Sequence, residues 1–392
     1  MTTPSNSLLQ GLDRLLPTYA RADLSIVRGE GARVWDDEGR EYLDFGAGIA
    51  VVGLGHCHPA PLAAAREQLE RLWHASNLYR TEPAEELAAR LSDRFGGAQA
   101  FFCNSGAEAI EAALKYARKA TGRPGIVALE GSFHGRTFGA LSVTGQPPKR
   151  AAFTPLIPGV TFVPPNDIAA LRTAVAEDVG LVLLEPILGE GGLHPLDPEF
   201  LAAAAELPAL LCVDEIQTGV GRTGSFFAFE ALGVRPDLVT LAKSLANGLP
   251  IGALLVADHA AGAFAPGDHG STFGGNPVSC AAACAVVDAI DEGLLANVLA
   301  RGAELAEGLT SLPGILSVRG RGLLLGAVVE GGAAEVVEAC RERGLLALTA
   351  GDDVVRLAPP LTSEAGDVEE ALSVLVAVLG TAEPAAKLQV VT

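Results

Sequence analysis

The sequence predicts an α/β fold, with a large domain built on a mostly parallel sheet flanked by helices and a smaller α+β domain after it. Three observations carry this. At 392 residues the chain exceeds one typical domain. From about residue 60 to 290, helical patterns alternate with short apolar runs, as strands buried in a parallel sheet do. After about residue 291 that alternation gives way to a sparser mix of strands and helices. The expected division is an N-terminal segment 1–50 serving the small domain and the active site, a large domain 51–290 and a small domain 291–392.

Residues 1–18 read as a short helix stopped at Pro17. Residues 34–44 read as a hairpin turned at Asp37-Glu38-Gly39. The runs 100–103, 126–128, 179–184, 210–213, 239–242 and 253–256 are short and apolar on both alternate positions, so both faces should be covered. Beyond them, 318–326 reads as one strand, 334–343 as a helix, 354–357 as a strand and 368–379 as a helix. The last dozen residues read as frayed.

Hydrophobic residues make up 49 % of the chain, enough for a substantial core. No apolar stretch reaches the ~18 residues of a membrane span. The opening Met1-Thr2-Thr3-Pro4-Ser5-Asn6 lacks the basic and apolar parts of a signal peptide, so a soluble cytoplasmic protein is expected. A formal charge of −19 argues against nucleic-acid and anionic-membrane partners. The six cysteines show no metal-ligand pairing; Cys280 and Cys284 are i,i+4 on a predicted helix, without a second pair. His56 and His58 are close, but too few other ligands cluster near them for a metal to be expected.

Lys243 is one of only five lysines, and it closes the apolar run 238–242. An ammonium at the mouth of a buried strand is costly to desolvate unless it titrates or reacts. Upstream, the run 210–213 ends in Asp214, followed by Glu215-Ile216-Gln217. A strand-end aspartate and a strand-end lysine are what pyridoxal phosphate chemistry requires. The amine forms a Schiff base with the cofactor aldehyde, and the carboxylate keeps the pyridine nitrogen protonated. The competing reading is a snorkelling lysine paired with Asp214 or Glu215.

Residues 101–109 form a strand running into a helix start, with Ser105 as N-cap. Gly106 and Ala107 carry little bulk, so their amides can approach a phosphate at the positive helix end. In Ser132-Phe133-His134-Gly135-Arg136-Thr137 an aromatic that could cover a planar ring adjoins a cation that could fork onto a carboxylate. A core phenylalanine and a surface arginine are the plain alternative. Glu185-Pro186 and Gly189-Glu190-Gly191-Gly192 follow another strand. There a glycine-held glutamate either pairs with a carboxylate-binding arginine or serves only the turn.

Six segments occur together and in order: 104–109 (NSGAEA), 133–137 (FHGRT), 189–192 (GEGG), 214–219 (DEIQTG), 241–243 (LAK) and 271–277 (STFGGNP). Each is weak alone, but together they are specific. Over about residues 19–379 the chain resembles the class III, or ω-amino acid, pyridoxal phosphate aminotransferases. The resemblance implies a fold type I architecture and a homodimer with shared active sites. It implies Lys243 and Asp214 as catalytic residues, with Phe133 on the cofactor ring and Gln217 by its phenolic oxygen. Ser105, Gly106 and Ala107 would hold the phosphate, together with Thr272 of the opposite subunit. Glu215 and Ile216 are expected beside Asp214 in the cofactor site. Arg136 would take the α-carboxylate of the amino donor, Ser271 would reach substrate across the interface, and Tyr19 joins the substrate contacts. Arg356 resembles the arginine that reads the carboxylate next to the reacting carbon of glutamate or 2-oxoglutarate. Glu190 resembles the switch that covers it for an ω-amine donor. The family often has glutamine where this chain has Leu188.

Ile49 occupies a place where ornithine-specific relatives tend to carry tyrosine. An apolar side chain suits an acylated nitrogen better than a free ammonium, which points to N2-acetyl-L-ornithine as donor and 2-oxoglutarate as acceptor, in arginine biosynthesis. Succinyldiaminopimelate, succinylornithine, ornithine and carrier-bound lysine are the neighbouring donors. An aminomutase needs no separate 2-oxo acid, which the pair Arg356 and Glu190 speaks against. A binding protein without catalysis has no chemical use for both Lys243 and Asp214.

Overall fold

The computed structural model describes residues 14–380 and the strand Val390–Val391. Its centre is a seven-stranded sheet. In spatial order the strands are Ala98–Cys103, Gly252–Ala257, Leu238–Leu241, Leu210–Asp214, Val179–Leu184, Gly125–Leu129 and Val160–Val163. Gly252–Ala257 runs antiparallel to both of its neighbours, and every other pairing through to the Val160–Val163 edge is parallel. The C-terminal ends of the remaining six strands therefore open along one rim, where ligands of such sheets bind.

Period-two alternation sends the apolar side chains to two separate cores. Val127, Val182, Val213, Val239 and Leu255 pack on one side of the sheet. Ala128, Leu183, Cys212, Leu238 and Leu254 pack on the other. There the helix Gly106–Thr121 covers them with Ile110, Ala113 and Ala117. Ser105 starts that helix by accepting the Glu108 amide at 3.3 Å, and Gly122 ends it in the left-handed region at φ +68°.

A third core lies under the helices Glu292–Thr310, Ala333–Glu342 and Ala365–Leu379. The hairpin Arg33–Asp36 and Glu41–Asp44 forms as expected, and Leu345–Leu346 adds to it in parallel. The 318–326 expectation needs correction. Two antiparallel strands, Ile315–Arg321 and Leu324–Val329, stand there instead of one. Gly322, at φ +56°, turns the chain where a Cβ would sit 2.7 Å from the Thr223 backbone. The edge strand Val160–Val163 was not anticipated; its half-exposed pattern lacks the continuous apolar run of the inner strands. The helix expected over 1–18 falls mostly outside the described residues, and 14–18 carry none. Most of the last dozen residues also lie outside them.

Candidate active site

Asp214 ends its strand in register with Thr240 on the neighbouring one. Its Oδ1 accepts the Thr240 hydroxyl at 3.1 Å and the Ile216 amide at 3.0 Å. Its Oδ2 lies 2.7 Å from His134 Nδ1, and both side chains are buried. That neighbouring strand, Leu238–Leu241, delivers Lys243 at φ +43°, a left-handed backbone unusual for a residue with a Cβ. Among the described residues its ammonium makes no hydrogen bond and no ion pair. The competing reading of a paired, snorkelling lysine is therefore not what forms. Burial is the main cause bringing this amine down to about 8, helped by the Arg356 charge and opposed by Glu190, Asp214 and Glu185.

A cavity of about 290 Å³ joins these groups, lined by Ser105, Gly106, Ala107, Phe133, Asp214, Ile216, Gln217 and Lys243. The Gly106 and Ala107 amides belong to the first helical turn, whose N–H groups have no intrahelical acceptor. Close approach keeps this corner tight. A Cβ on Gly135 would meet Ala107 at 2.7 Å, and one on Gly106 would meet Ile216 at 2.7 Å. Gly135 thereby draws the Phe133 loop onto the helix start.

Arg356, buried on the strand Val354–Leu357, approaches this cavity through Gln217, whose Oε1 accepts its Nη1 at 3.1 Å. The same nitrogen donates to the Gly189 carbonyl at 3.1 Å and to the Glu190 carboxylate. Arg356 Nε is buried and unpartnered. Burial pushes the Glu190 carboxyl up, but Arg356, then Lys243 and Lys149, outweigh it and hold it below the usual range. Arg136 is exposed at the rim, its guanidinium 5.5 Å from the Phe133 ring centre, with no carboxylate partner among the described residues. The arrangement offers a lone amine, a buried carboxylate, a helix-start anion cup and two arginines, one covered and one open.

Several expected residues stand elsewhere. Glu215 does not line the cavity; its oxygens accept the Phe229 amide at 2.9 Å, the Ala228 amide at 3.0 Å and the Thr218 hydroxyl at 2.9 Å. Neighbouring side chains at a strand end take opposite sides, so only one of the two carboxylates reaches the rim. Tyr19 is exposed, on a segment (14–20) with no regular structure, and is absent from the cavity lining. Ile49 is 43 % exposed and likewise outside the lining, although Val51 belongs to it. Leu188 is a buried core residue. Ser271 and Thr272 line a second cavity of about 810 Å³ with Leu78 and His269. Asn104 Nδ2, donating to Ser271 Oγ at 3.1 Å, links the two cavities. His56 pairs with Asp44 at 2.8 Å and His58 caps the helix Pro59–Arg71.

Sequence reasoning assigned no task to three groups here. His134 braces Asp214. Glu185 accepts the Phe133 amide at 2.8 Å through Oε1 and the Gly189 amide at 3.2 Å through Oε2. It ends an apolar run just as Asp214 does, a signal available in the sequence. Lys149 holds its ammonium 5.3 Å from the Phe133 ring centre, and nothing local announces it.

The family profile for class-III aminotransferases matches residues 17–379. An acetylornithine aminotransferase of Streptomyces coelicolor is 50 % identical over 378 residues, covering 94 % of each chain. One from Mycolicibacterium smegmatis is 50 % identical over 377 residues, 94 % of this chain and 96 % of that one. Among solved structures, an ornithine aminotransferase from Toxoplasma gondii superposes with a TM-score of 0.89 at 34 % identity, covering 93 % of this chain and 92 % of its own. An N-acetylornithine aminotransferase from Stenotrophomonas maltophilia gives 0.80 at 39 % identity, covering 92 % and 96 %.

Proposed function

The chain belongs to the class-III aminotransferases, and from that premise we propose that it transfers the side-chain amine of N2-acetyl-L-ornithine to 2-oxoglutarate. The products are N-acetyl-L-glutamate 5-semialdehyde and L-glutamate, a step of arginine biosynthesis. Pyridoxal 5'-phosphate is the cofactor; bound here it supplies an aldehyde to carry the amine and a ring that takes up electron density from the reacting carbon. The cavity fits it: Gly106 and Ala107 present unpaired helix-start amides for the phosphate, and Asp214 presents a carboxylate for the ring nitrogen.

Lys243 is the covalent anchor and the proton carrier. Its lowered basicity leaves a useful neutral fraction near neutral pH, so Nζ can take a proton from the amine-bearing carbon and return one later. Phe133 would cover the cofactor ring and Gln217 would contact it, and His134 orients Asp214. The observation that carries the donor reading is the unequal state of the two arginines. Arg356 is covered by Glu190 while Arg136 stands open, the condition suited to an ω-amine donor whose carboxylate is remote from the reacting carbon. Uncovered, Arg356 with its free Nε can read the carboxylate beside the reacting carbon of glutamate.

We also propose a homodimer, with Ser271 and Thr272 completing the partner's site. Trp73, Leu78, Tyr79 and Phe273 are exposed beside that pair, which supports an apolar seam there. The units 1–50 with 291–392, and 51–290, are offered as the two domains, and the cytoplasm as the compartment; among the described residues no helix is long and apolar enough to cross a membrane. A panel of acetylornithine, ornithine, succinylornithine and succinyldiaminopimelate, each with 2-oxoglutarate, tests the assignment. The expected result is the highest kcat/KM for acetylornithine with equimolar glutamate; a higher value for any other donor overturns it.

A further inference from the structure

Lysine is scarce here, five residues against twenty-three arginines. Lys115 and Lys119 serve the surface, where they meet Asp268 and His269. Lys149 instead stands over the outer part of the site. Its Nζ lies 5.3 Å from the Phe133 ring centre, and Arg136 Cζ lies 5.5 Å from the same centre. Gln146 holds it there, accepting from Nζ through Oε1 and donating Nε2 to the Gly131 carbonyl at 3.1 Å. Glu190, Arg136 and Arg356 are the charged groups that bear on it. Glu190 is the lone anion of these, and Arg356 already engages it. Two cations without a carboxylate partner of their own among the described residues therefore lie close to one aromatic ring, an unfavourable pairing until an anion joins them.

We infer that Lys149 is a specificity-determining residue that, with Arg136, reads the substrate carboxylate remote from the reacting carbon. The inference rests on the aminotransferase reading and extends it. In acetylornithine that carboxylate lies four bonds from the reacting carbon, and in glutamate three. A flexible lysine stem can follow an anion displaced by one methylene, where a planar fork fits one position best. Arg136 supplies the fork and Lys149 the adjustable charge.

The test deletes the carboxylate from the substrate as well as the cation from the enzyme. Holoenzyme and its Lys149→Met, Lys149→Gln and Lys149→Arg variants are assayed with acetylornithine and with N-acetyl-1,4-diaminobutane, the same donor lacking the carboxylate. Binding of glutarate, a non-reacting dicarboxylate, is measured by calorimetry. Losing one charge-assisted contact should lower kcat/KM for acetylornithine by about tenfold, mainly through KM, in both neutral variants. The loss should be at least about fivefold smaller for the diamine, and glutarate should bind about tenfold more weakly. Lys149→Arg should recover most of the glutarate affinity. Equal losses on the two donors, or unchanged glutarate binding, overturn the role of Lys149. Failure of the donor assignment appears separately, as wild-type enzyme without acetylornithine turnover, and glutarate binding still decides Lys149.

Discussion

Lys243, the proposed anchor, is a residue whose surroundings, more than its identity, set its basicity. A free lysine near 10.4 is almost wholly protonated at neutral pH, whereas burial and Arg356 bring this one to about 8. Only the neutral amine attacks an aldehyde, so below that value the neutral fraction rises with pH. Loading of stripped enzyme with pyridoxal phosphate, followed by absorbance, should accelerate by about tenfold per pH unit and level off above about 8. A rate still climbing beyond pH 10 would show an ordinary lysine. Nearby backbone strain is concentrated in Ala47, Gly48, Ile49 and Ala50, at φ +46°, +63°, +67° and +60°. Left-handed turns cost residues with a Cβ roughly 1–2 kcal/mol each. Asp44 offsets this by accepting the Gly46 and Ala47 amides at 3.0 and 2.8 Å, and Ser244 by donating to the Ala50 carbonyl at 2.9 Å. The neighbour of Lys243 thus holds the turn that sets Val51 into the cavity wall. At Arg356, the proposed carboxylate reader, and at Glu190, which covers it, the expected effects diverge. Arg356→Ala should slow the glutamate half-reaction by one to two powers of ten, on the basis of about 1.5–3 kcal/mol for a charged hydrogen bond, and spare the acetylornithine half. Glu190→Ala should ease α-amine donors instead. Single-turnover spectra of each half-reaction separate these outcomes, and equal losses in both halves for Arg356→Ala would make that arginine structural.

At the scale of elements, the site is assembled by loops that leave neighbouring strand ends and are tied to one another. Glu185 is the tie between two of them, with one oxygen on the Phe133 amide and the other on the Gly189 amide. The same residue therefore holds both the Phe133 loop and the base of the loop carrying Glu190. Burial pushes its carboxyl up to about 7, with Asp214 adding to this and His134 opposing it. Glu185→Gln keeps the shape but leaves one acceptor oxygen, so an NH2 group would face one of the two amides. One loop should loosen, and discrimination between acetylornithine and glutamate should fall several-fold more than cofactor affinity does. Competition kinetics with both donors, beside cofactor titration, checks this; a parallel fall in both quantities would mean that Glu185 serves the cofactor pocket alone.

Across the whole molecule, the large sheet and the smaller α+β body meet at Arg222. It is fully buried, and its Nη1 donates to the Leu323 carbonyl at 3.0 Å and to the Pro359 carbonyl. Arg356 crosses the same junction to Gln217 and Glu190, so the substrate recognition proposed for it would depend on how the two bodies seat. The proposed dimer would add a further level. Lys243→Ala and Thr272→Ala chains, mixed and re-associated, should regain activity, because a two-fold interface gathers both lesions into one site and leaves the other intact. With exchange proven and each parent defective, a mixture no more active than its parents would exclude a shared site.

Local sequence was enough to place Asp214 and Lys243 at adjacent strand ends, to cap the helix at Ser105, and to pair Arg356 with Glu190 through family resemblance. Each depends on short patterns: an apolar run with a charge at its end, a small polar residue before a helix, a motif in register. Tertiary structure alone decided the rest. Asp214 and Glu215 are equivalent as letters, and only pleat and register turn one to the cavity and the other to the Ala228–Leu232 turn. Val160–Val163 became a strand because Gly125–Leu129 offered it an edge, not because its own pattern demanded one. The break at Gly322 follows from the backbone of Thr223, a hundred residues away in sequence. Lys149 reaches Phe133 through Gln146 and the loop that holds it, a contact made by folding, and no spacing in the chain encodes it.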